Sequence, residues 1–291
     1  GMLILEEFGP GFTHKDVREL WVKHLPLDTT FGPERTMLIK SGLESLGRMN
    51  LASFEETGGV ASSEGGYRPA FFRGENPINI FLNPGDELCG AVIRADAYGY
   101  ACPGYPEKAA ELAWKDASFT HNRTGIYGTM FVAAAIAMAQ ISKDRMSIFD
   151  TALKFVPMKS RFYERVKKCF ELVSDSKSWE EGYAKINDLY GDYGHCRVYQ
   201  EIGMLINTMK FANDVGDGIC IQVSQGADTD SFGASAGSIL GAYFGPGSLD
   251  QKWTLPFNDD IHTGMAWFFE RSLSDLASRM GELPKRIYPT L

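Results

Sequence analysis

Two aspartates one residue apart, followed at once by a hydroxyl, carry the strongest chemical signal in the sequence: Gln225-Gly226-Ala227-Asp228-Thr229-Asp230-Ser231-Phe232-Gly233. In an extended or turn conformation this run can aim oxygens of Asp228, Asp230 and Ser231 at one hard cation. Magnesium and manganese favour carboxylate and hydroxyl oxygens over sulfur or imidazole. The simpler local reading is a helix cap, in which Asp228 or Asp230 accepts the free amides of the first turn that follows. On local pattern alone the cap is favoured, because Asp-x-Asp-Ser is common.

The next residues shift that balance. Gly233, Gly237, Gly241 and Gly245 recur every fourth position among Ala234, Ala236 and Ala242. Each interior helical glycine costs roughly 1 kcal/mol relative to alanine. A helix that tolerates such a ridge is expected to gain close approach by another backbone or a ligand. The acidic cluster is therefore expected at the N-terminus of a deeply packed central helix, although tight core packing alone would also produce the ridge.

The elements that must position this cluster read as helices almost throughout. Thr13 and Asp16 have capping-box spacing before Val17, Leu20, Trp21 and Leu25, and Pro26 ends the run. Pro106 opens a helix carrying Ala109, Ala110, Ala113 and Ala117. Further helices are expected from near Gly125 to Ile141, Ser147 to Val156, Ser160 to Val173, and from Ser178, with Glu181 as box partner, to a stop at Gly191. Val198 to Ala212, Ser231 to Phe244, His262 to Glu270 and Ser274 to Met280 complete the set. Ile219 to Val223 is the best strand candidate, equally readable as a helical turn. Residues 58–86, rich in Gly, Pro, Asn and Ser, read as a long covering loop. No repeat or linker divides the chain, so the expectation is one all-α domain over residues 2–291.

Composition narrows the function classes. The chain has 291 residues, 44% hydrophobic and 23% charged, with 29 basic against 37 acidic side chains and a net charge of −8. An acidic chain without a basic cluster argues against nucleic acid, whose binding needs cationic contacts to displace counterions. The most apolar run, Met130 to Ala139, is about half the length a membrane-spanning helix needs. The five scattered cysteines (Cys89, Cys102, Cys169, Cys196 and Cys220) include no CxxC pair, which points away from a zinc knuckle or redox motif and toward the cytoplasm. Gly1 ahead of Met2 reads as a remnant of tag removal.

The stretch from Gly226 to Gly245 resembles the C-terminal motif of ADP-ribosylglycohydrolases, the enzymes related to the dinitrogenase-reductase-activating glycohydrolase. Ile93-Arg94-Ala95-Asp96-Ala97-Tyr98-Gly99-Tyr100 before Pro103-Gly104 is similar to that family's Ile-Arg segment. Ser118-Phe119-Thr120-His121, then Gly125-Ile126-Tyr127-Gly128, resembles its His-containing loop. The resemblance implies an all-α glycohydrolase fold and hydrolysis of ADP-ribosyl N- or O-glycosidic bonds on a protein or a related ADP-ribose conjugate. It makes Asp228, Asp230 and Ser231 ligands of a binuclear magnesium or manganese site, with Asp228 and Asp230 catalytic. It also places His121, Gly125, Tyr127 and Gly128 around ADP-ribose. Taken alone, His121 reads as a structural histidine, Tyr127 as core, and Arg94 and Asp96 as a local ion pair or loop anchor.

The family pattern also has an N-terminal half-site, a Gly-rich helix with an acidic residue and a Thr-Asp-Asp cluster, and this sequence shows neither. Glu6-Glu7, Asp28-Thr29-Thr30 and Asp259-Asp260 do not replace it; the last reads as a solvated turn or cap. The half-site lies upstream, comes from another chain, or has been lost. The rival class is accordingly a non-catalytic ADP-ribose-binding or scaffold protein. A magnesium-dependent phosphohydrolase ranks below both, because neither His195 nor His262 has a convincing Asp partner.

Overall fold

A computed structural model describes residues 1–30, 32–43, 85 and 88–288; the expected covering loop over 58–86 lies, Gly85 apart, outside the described residues. Local punctuation sets most helix boundaries. After a short α1 (Met2–Phe8), Thr13 and Asp16 close a capping box at the start of α2 (His14–His24), with the Thr13 amide donating to Asp16 Oδ2 at 2.7 Å. Short helices α3 (Gly32–Lys40) and α4 (Asp96–Tyr100) follow, neither marked by sequence periodicity. Pro106 begins α5 (Pro106–Ala117), and the Ala-rich segment forms α6 (Thr124–Ala139).

Helix α6 is buried on nearly every side and packs against α4, α5 and α7 (Arg145–Leu153). Small residues permit this. A Cβ at Gly99 would lie 2.5 Å from Ile136 Cβ, and one at Gly128 would lie 2.7 Å from Val198 Cγ1. Helices α8 (Arg161–Ser174) and α9 (Trp179–Tyr190) start at Ser160 and Ser178, whose hydroxyls accept from Tyr163 and Glu181 amides. The Glu181 carboxylate reaches the Lys177 amide rather than that of Ser178, so this box is displaced by one residue. Gly191 does not stop α9 in a left-handed conformation; the chain tightens through Gly191–Tyr193, and Gly194 at φ 76° makes the turn.

Three helices then frame the acidic run: α10 (Val198–Phe211), α11 (Val215–Ser224) and α12 (Thr229–Phe244). The strand candidate Ile219–Val223 lies inside α11, whose N-cap Asp214 accepts from the Asp217 amide. Among the described residues no backbone closely approaches the glycine ridge of α12: Gly237 would place a Cβ at ordinary contact from Ile219, and none of them lies within 4 Å of a Cβ at Gly241. The tight contact comes from the other helix, where a Cβ at Gly218 of α11 would collide with Leu240.

The helix expected over His262 to Glu270 is instead a hairpin, β1 (Asp260–His262) paired antiparallel with β2 (Glu270–Ser272). Trp267, inside that segment, is left-handed (φ 62°), which is incompatible with a continuous helix, and Asp259 ties the far strand by accepting from Ser272 and from the Ser274 amide. His262 does have a carboxylate neighbour, Asp260 at 3.3 Å, but both are exposed on the hairpin. Helix α13 (Leu273–Ile287) returns to the chain start, where Arg279 grips Glu6 through Nε and Nη2 at 2.9 and 2.7 Å. No helix among the described residues is long and apolar enough to cross a membrane.

Arg94 holds the N-terminal helices to this body. Its guanidinium donates to Asp116 Oδ2 (2.5 Å), Glu34 Oε1 (2.6 Å), Gly90 O (2.9 Å) and Thr120 Oγ1 (2.6 Å), and lies 4.9 Å from the Trp21 ring centre. The pairing expected with Asp96 does not form; Asp96 accepts from Ser238 of α12 instead. The Thr120 hydroxyl, which accepts from Arg94, also shares a hydrogen bond with His121 Nδ1 at 2.8 Å. His121 is only 1% exposed, and Nε2 has no partner among the described residues. Burial, with the nearby Arg94 charge, lowers the His121 pKa to about 3.

An unfolded chain protonates this imidazole near its ordinary value of 6.5, whereas the folded one resists until about 3. Its contribution to stability is complete above the first value and is lost as pH falls through that window. Urea unfolding followed from pH 7 to pH 4 should show His121→Gln losing less stability with acid than the wild-type protein; parallel curves would contradict a buried neutral His121.

Candidate functional site

The acidic run is set in place by a buried ladder of amide side chains. Asn207 of α10 donates to Gln225 Oε1 (2.8 Å), Gln225 donates to Thr208 Oγ1 (2.8 Å), and Thr208 donates to Gln222 Oε1 (2.7 Å). All four residues are at most 2% exposed. These side chains bond to specific neighbours, which fixes how α11 ends against α10, although Asn207 Oδ1 has no partner among the described residues. Immediately afterwards Gly226 and Ala227 are both left-handed, at φ 79° and 61°. Glycine adopts this freely and alanine does not. The chain doubles back over these two residues and enters α12 with Asp228 at the N-cap position.

Asp228 does not act as the cap. No backbone amide of α12 bonds to its side chain. Its Oδ2 accepts from Cys89 Sγ at 3.0 Å, and the side chains of Asp230, Cys196 and Ser231 also reach the carboxylate. Burial opposes its charge, but these hydrogen bonds outweigh it, led by that from Cys89, and hold the carboxyl below its ordinary pKa. Cys89 is displaced in the opposite direction: hydrogen bonding with Cys196, desolvation and the Asp228 carboxylate push its thiol far up. Asp228 is half-buried and Asp230 exposed, so the cluster opens to solvent on the Asp230 side.

Two distant segments bring the thiols here. Leu88 and Arg197 form an antiparallel bridge, and the next step of that register sets Cys89 across from Cys196. Cys196 is left-handed at φ 58°, which ends the pairing. Below the cluster, Glu201 of α10 accepts two backbone amides on one oxygen, from Cys196 at 2.9 Å and from Asp228 at 3.0 Å. Glu201 is fully buried, and its second oxygen has no partner among the described residues. Desolvation is the main force raising its pKa, to about 9, so the group is a neutral acid at pH 7. Among the described residues, Cys89, Cys196 and Asp228 form the one group of three His, Cys, Asp or Glu side chains that could share an ion, their ligand atoms lying within 4.8 Å of one another.

A protein-family model described as ADP-ribosylglycohydrolase matches residues 5–285. The chain belongs to that family. No curated protein matches it. ADP-ribosylglycohydrolases are hydrolases of ADP-ribose conjugates and in general depend on divalent metal, and the all-helical architecture described above agrees with their fold.

The residues singled out in the sequence separate into two sets. Asp228, Asp230 and Ser231 do come together, at the start of α12. His121 sits inside the Arg94 network; Gly125 is buried with its carbonyl accepting from Thr129; Gly128 packs beneath Val198 and Val92. Of the four positions expected around ADP-ribose, Tyr127 alone is partly exposed. Cys89, Cys196 and Glu201 were missed. The thiols have no sequence spacing that announces a site, because their proximity is created by tertiary structure. Glu201 offered a signal, a lone acid within the apolar run Val198 to Met209.

Removing the Glu201 carboxyl would strand two part-buried amides, each costing about 1–3 kcal/mol. Glu201→Ala should therefore destabilise the fold by about 2–4 kcal/mol in urea unfolding at pH 7. Glu201→Gln, which keeps a neutral acceptor in the same place, should cost under about 1 kcal/mol. Equal losses in the two variants would contradict the shared-acceptor role.

Proposed function

We propose that this chain hydrolyses the N- or O-glycosidic bond between ADP-ribose and a protein side chain, or a related ADP-ribose conjugate, at the cluster beginning α12. The observation that carries this reading is the orientation of Asp228. Its carboxylate is turned from the helix amides toward Asp230 and Ser231, and it is held in the ionised form a proton acceptor needs. Water adds to the anomeric carbon as positive charge develops on the ribose. Its proton passes to a carboxylate of the Asp228–Asp230 pair, and the bond to the modified side chain breaks with its electron pair on the leaving atom, which takes up a proton. Asp230, exposed at the open side, is placed to meet the sugar, and Tyr127 is the remaining candidate for contact with the nucleotide.

A pair of magnesium or manganese ions would supply charge stabilisation to such a reaction. The donors described here do not fit that pair. Asp228, Asp230 and Ser231 supply hard oxygens on one side only, and the ligand group that contains Asp228 is otherwise made of sulfur. No step is assigned to those ions. Five free cysteines suit a reducing compartment, and a cytoplasmic location is proposed on that ground. The rival reading, binding without turnover, is favoured by the same shortage of acidic donors among the described residues.

The full chain, incubated with an ADP-ribosylated protein and divalent metal, should release free ADP-ribose. Asp228→Asn should lower kcat by about 100-fold or more, within the range for loss of a general base. Calorimetric binding of ADP-ribose without release would select the non-catalytic reading. Neither binding nor release would contradict the assignment altogether.

A further inference from the structure

We infer that Cys89, Cys196 and Asp228 form a centre for a thiophilic divalent cation, zinc being the natural occupant, distinct in donor chemistry from a magnesium or manganese pair. The cluster is two thiols and a carboxylate from three separate segments of chain: the bridge residue after Leu88, the turn before Arg197, and the entrance to α12. All ligand atoms lie within 4.8 Å of one another, and Cys89 Sγ is already 3.0 Å from Asp228 Oδ2.

The dimensions suit zinc. Zn–S bonds of about 2.3 Å and Zn–O bonds of about 2.0–2.2 Å in a tetrahedron put ligand atoms roughly 3.5–3.8 Å apart. The widest separation in the cluster therefore needs to contract by about 1 Å, within the reach of side-chain rotation at cysteine and aspartate. Two thiolates and one carboxylate would leave a fourth position open toward the exposed Asp230 and half-buried Ser231. Three protein ligands with one open position is the arrangement that zinc adopts where it holds a water molecule. Binding displaces the two thiol protons to solvent and changes no oxidation state.

The support beneath the ligands is of the kind metal sites use. Glu201 fixes the backbone of two ligand residues with a single buried oxygen, accepting from Cys196 and Asp228 amides, while the Leu88–Arg197 bridge sets the two cysteines opposite each other. Glu201 touches no proposed ligand atom and is a positioning residue. Groups that orient ligands in this way typically change metal affinity by about 10–100-fold when removed. The remaining cysteines provide internal controls: Cys102 and Cys169 are buried elsewhere, and Cys220 is exposed on α11.

Asp228 is shared with the proposed hydrolytic site, but cysteine protection and the cobalt band report the thiols whereas ADP-ribose release reports hydrolysis, so either can fail alone. The direct test is alkylation of the full wild-type chain, after chelation and reduction, read per cysteine by peptide mass spectrometry. Zinc chloride should slow modification of Cys89 and Cys196 by at least tenfold and leave Cys220 unchanged, whereas magnesium and manganese chlorides should protect neither. Cobalt(II) chloride should give a thiolate-to-metal charge-transfer band that is lost in Cys196→Ser. Glu201→Ala should weaken zinc binding by about 10–100-fold and Glu201→Gln far less. Absence of zinc protection, equal protection by magnesium or manganese without a cobalt band, or a Cys89–Cys196 disulfide in the reduced-and-repurified protein would each overturn the inference.

Discussion

One carboxyl oxygen, Oε1 of Glu201, accepts the backbone amides of both Cys196 and Asp228, and the geometry of the site depends on it. Cys196 lies before α10 and Asp228 after α11, and they share no local sequence. Without a common acceptor their amides would each need water or another partner in a half-buried location. With it, the loop carrying Cys196 and the turn carrying Asp228 are set at one separation. The consequence appears at the surface: Asp228, placed where it could cap α12, is instead directed at two thiols and a neighbouring carboxylate.

The rest of the fold holds that arrangement through buried polar networks that fix which segments meet. The Asn207–Gln225–Thr208–Gln222 ladder locks α11 to α10 below the left-handed turn at Gly226 and Ala227. On the other side, Arg94 spreads its charge over Asp116 and Glu34 and its remaining donors over Thr120 and Gly90, tying α3 and α5 to the segment that leads from Cys89. A buried ion pair of this kind adds little net stability over an apolar replacement, but it fixes which segments meet. The long α6, apolar on all faces, gives these polar networks a common floor.

The sequence carried the helical architecture clearly because its information is local. Thr13, Pro106, Ser160 and Ser178 each mark a helix start through an interaction spanning a few residues, and those starts appear in the structure. Readings failed where tertiary contacts decide. The segment His262 to Glu270 has helical spacing, yet it folds as a hairpin whose turn holds left-handed Trp267. Among the described residues the tight contact between α11 and α12 is made by Gly218 of α11 and not by the glycine ridge of α12. For the site, Asp228, Asp230 and Ser231 were legible as a cluster because they are neighbours in the chain. Cys89 and Cys196 were not, since no spacing rule connects residues joined only by a single bridge and a buried glutamate.

Sulfur and carboxylate converge at the entrance to α12. X-ray absorption at the zinc edge, on the zinc-loaded chain, reads the donor atoms directly. The expected spectrum contains about two sulfur neighbours near 2.3 Å together with oxygen near 2.0–2.2 Å. A coordination sphere made of oxygen and nitrogen alone would contradict it.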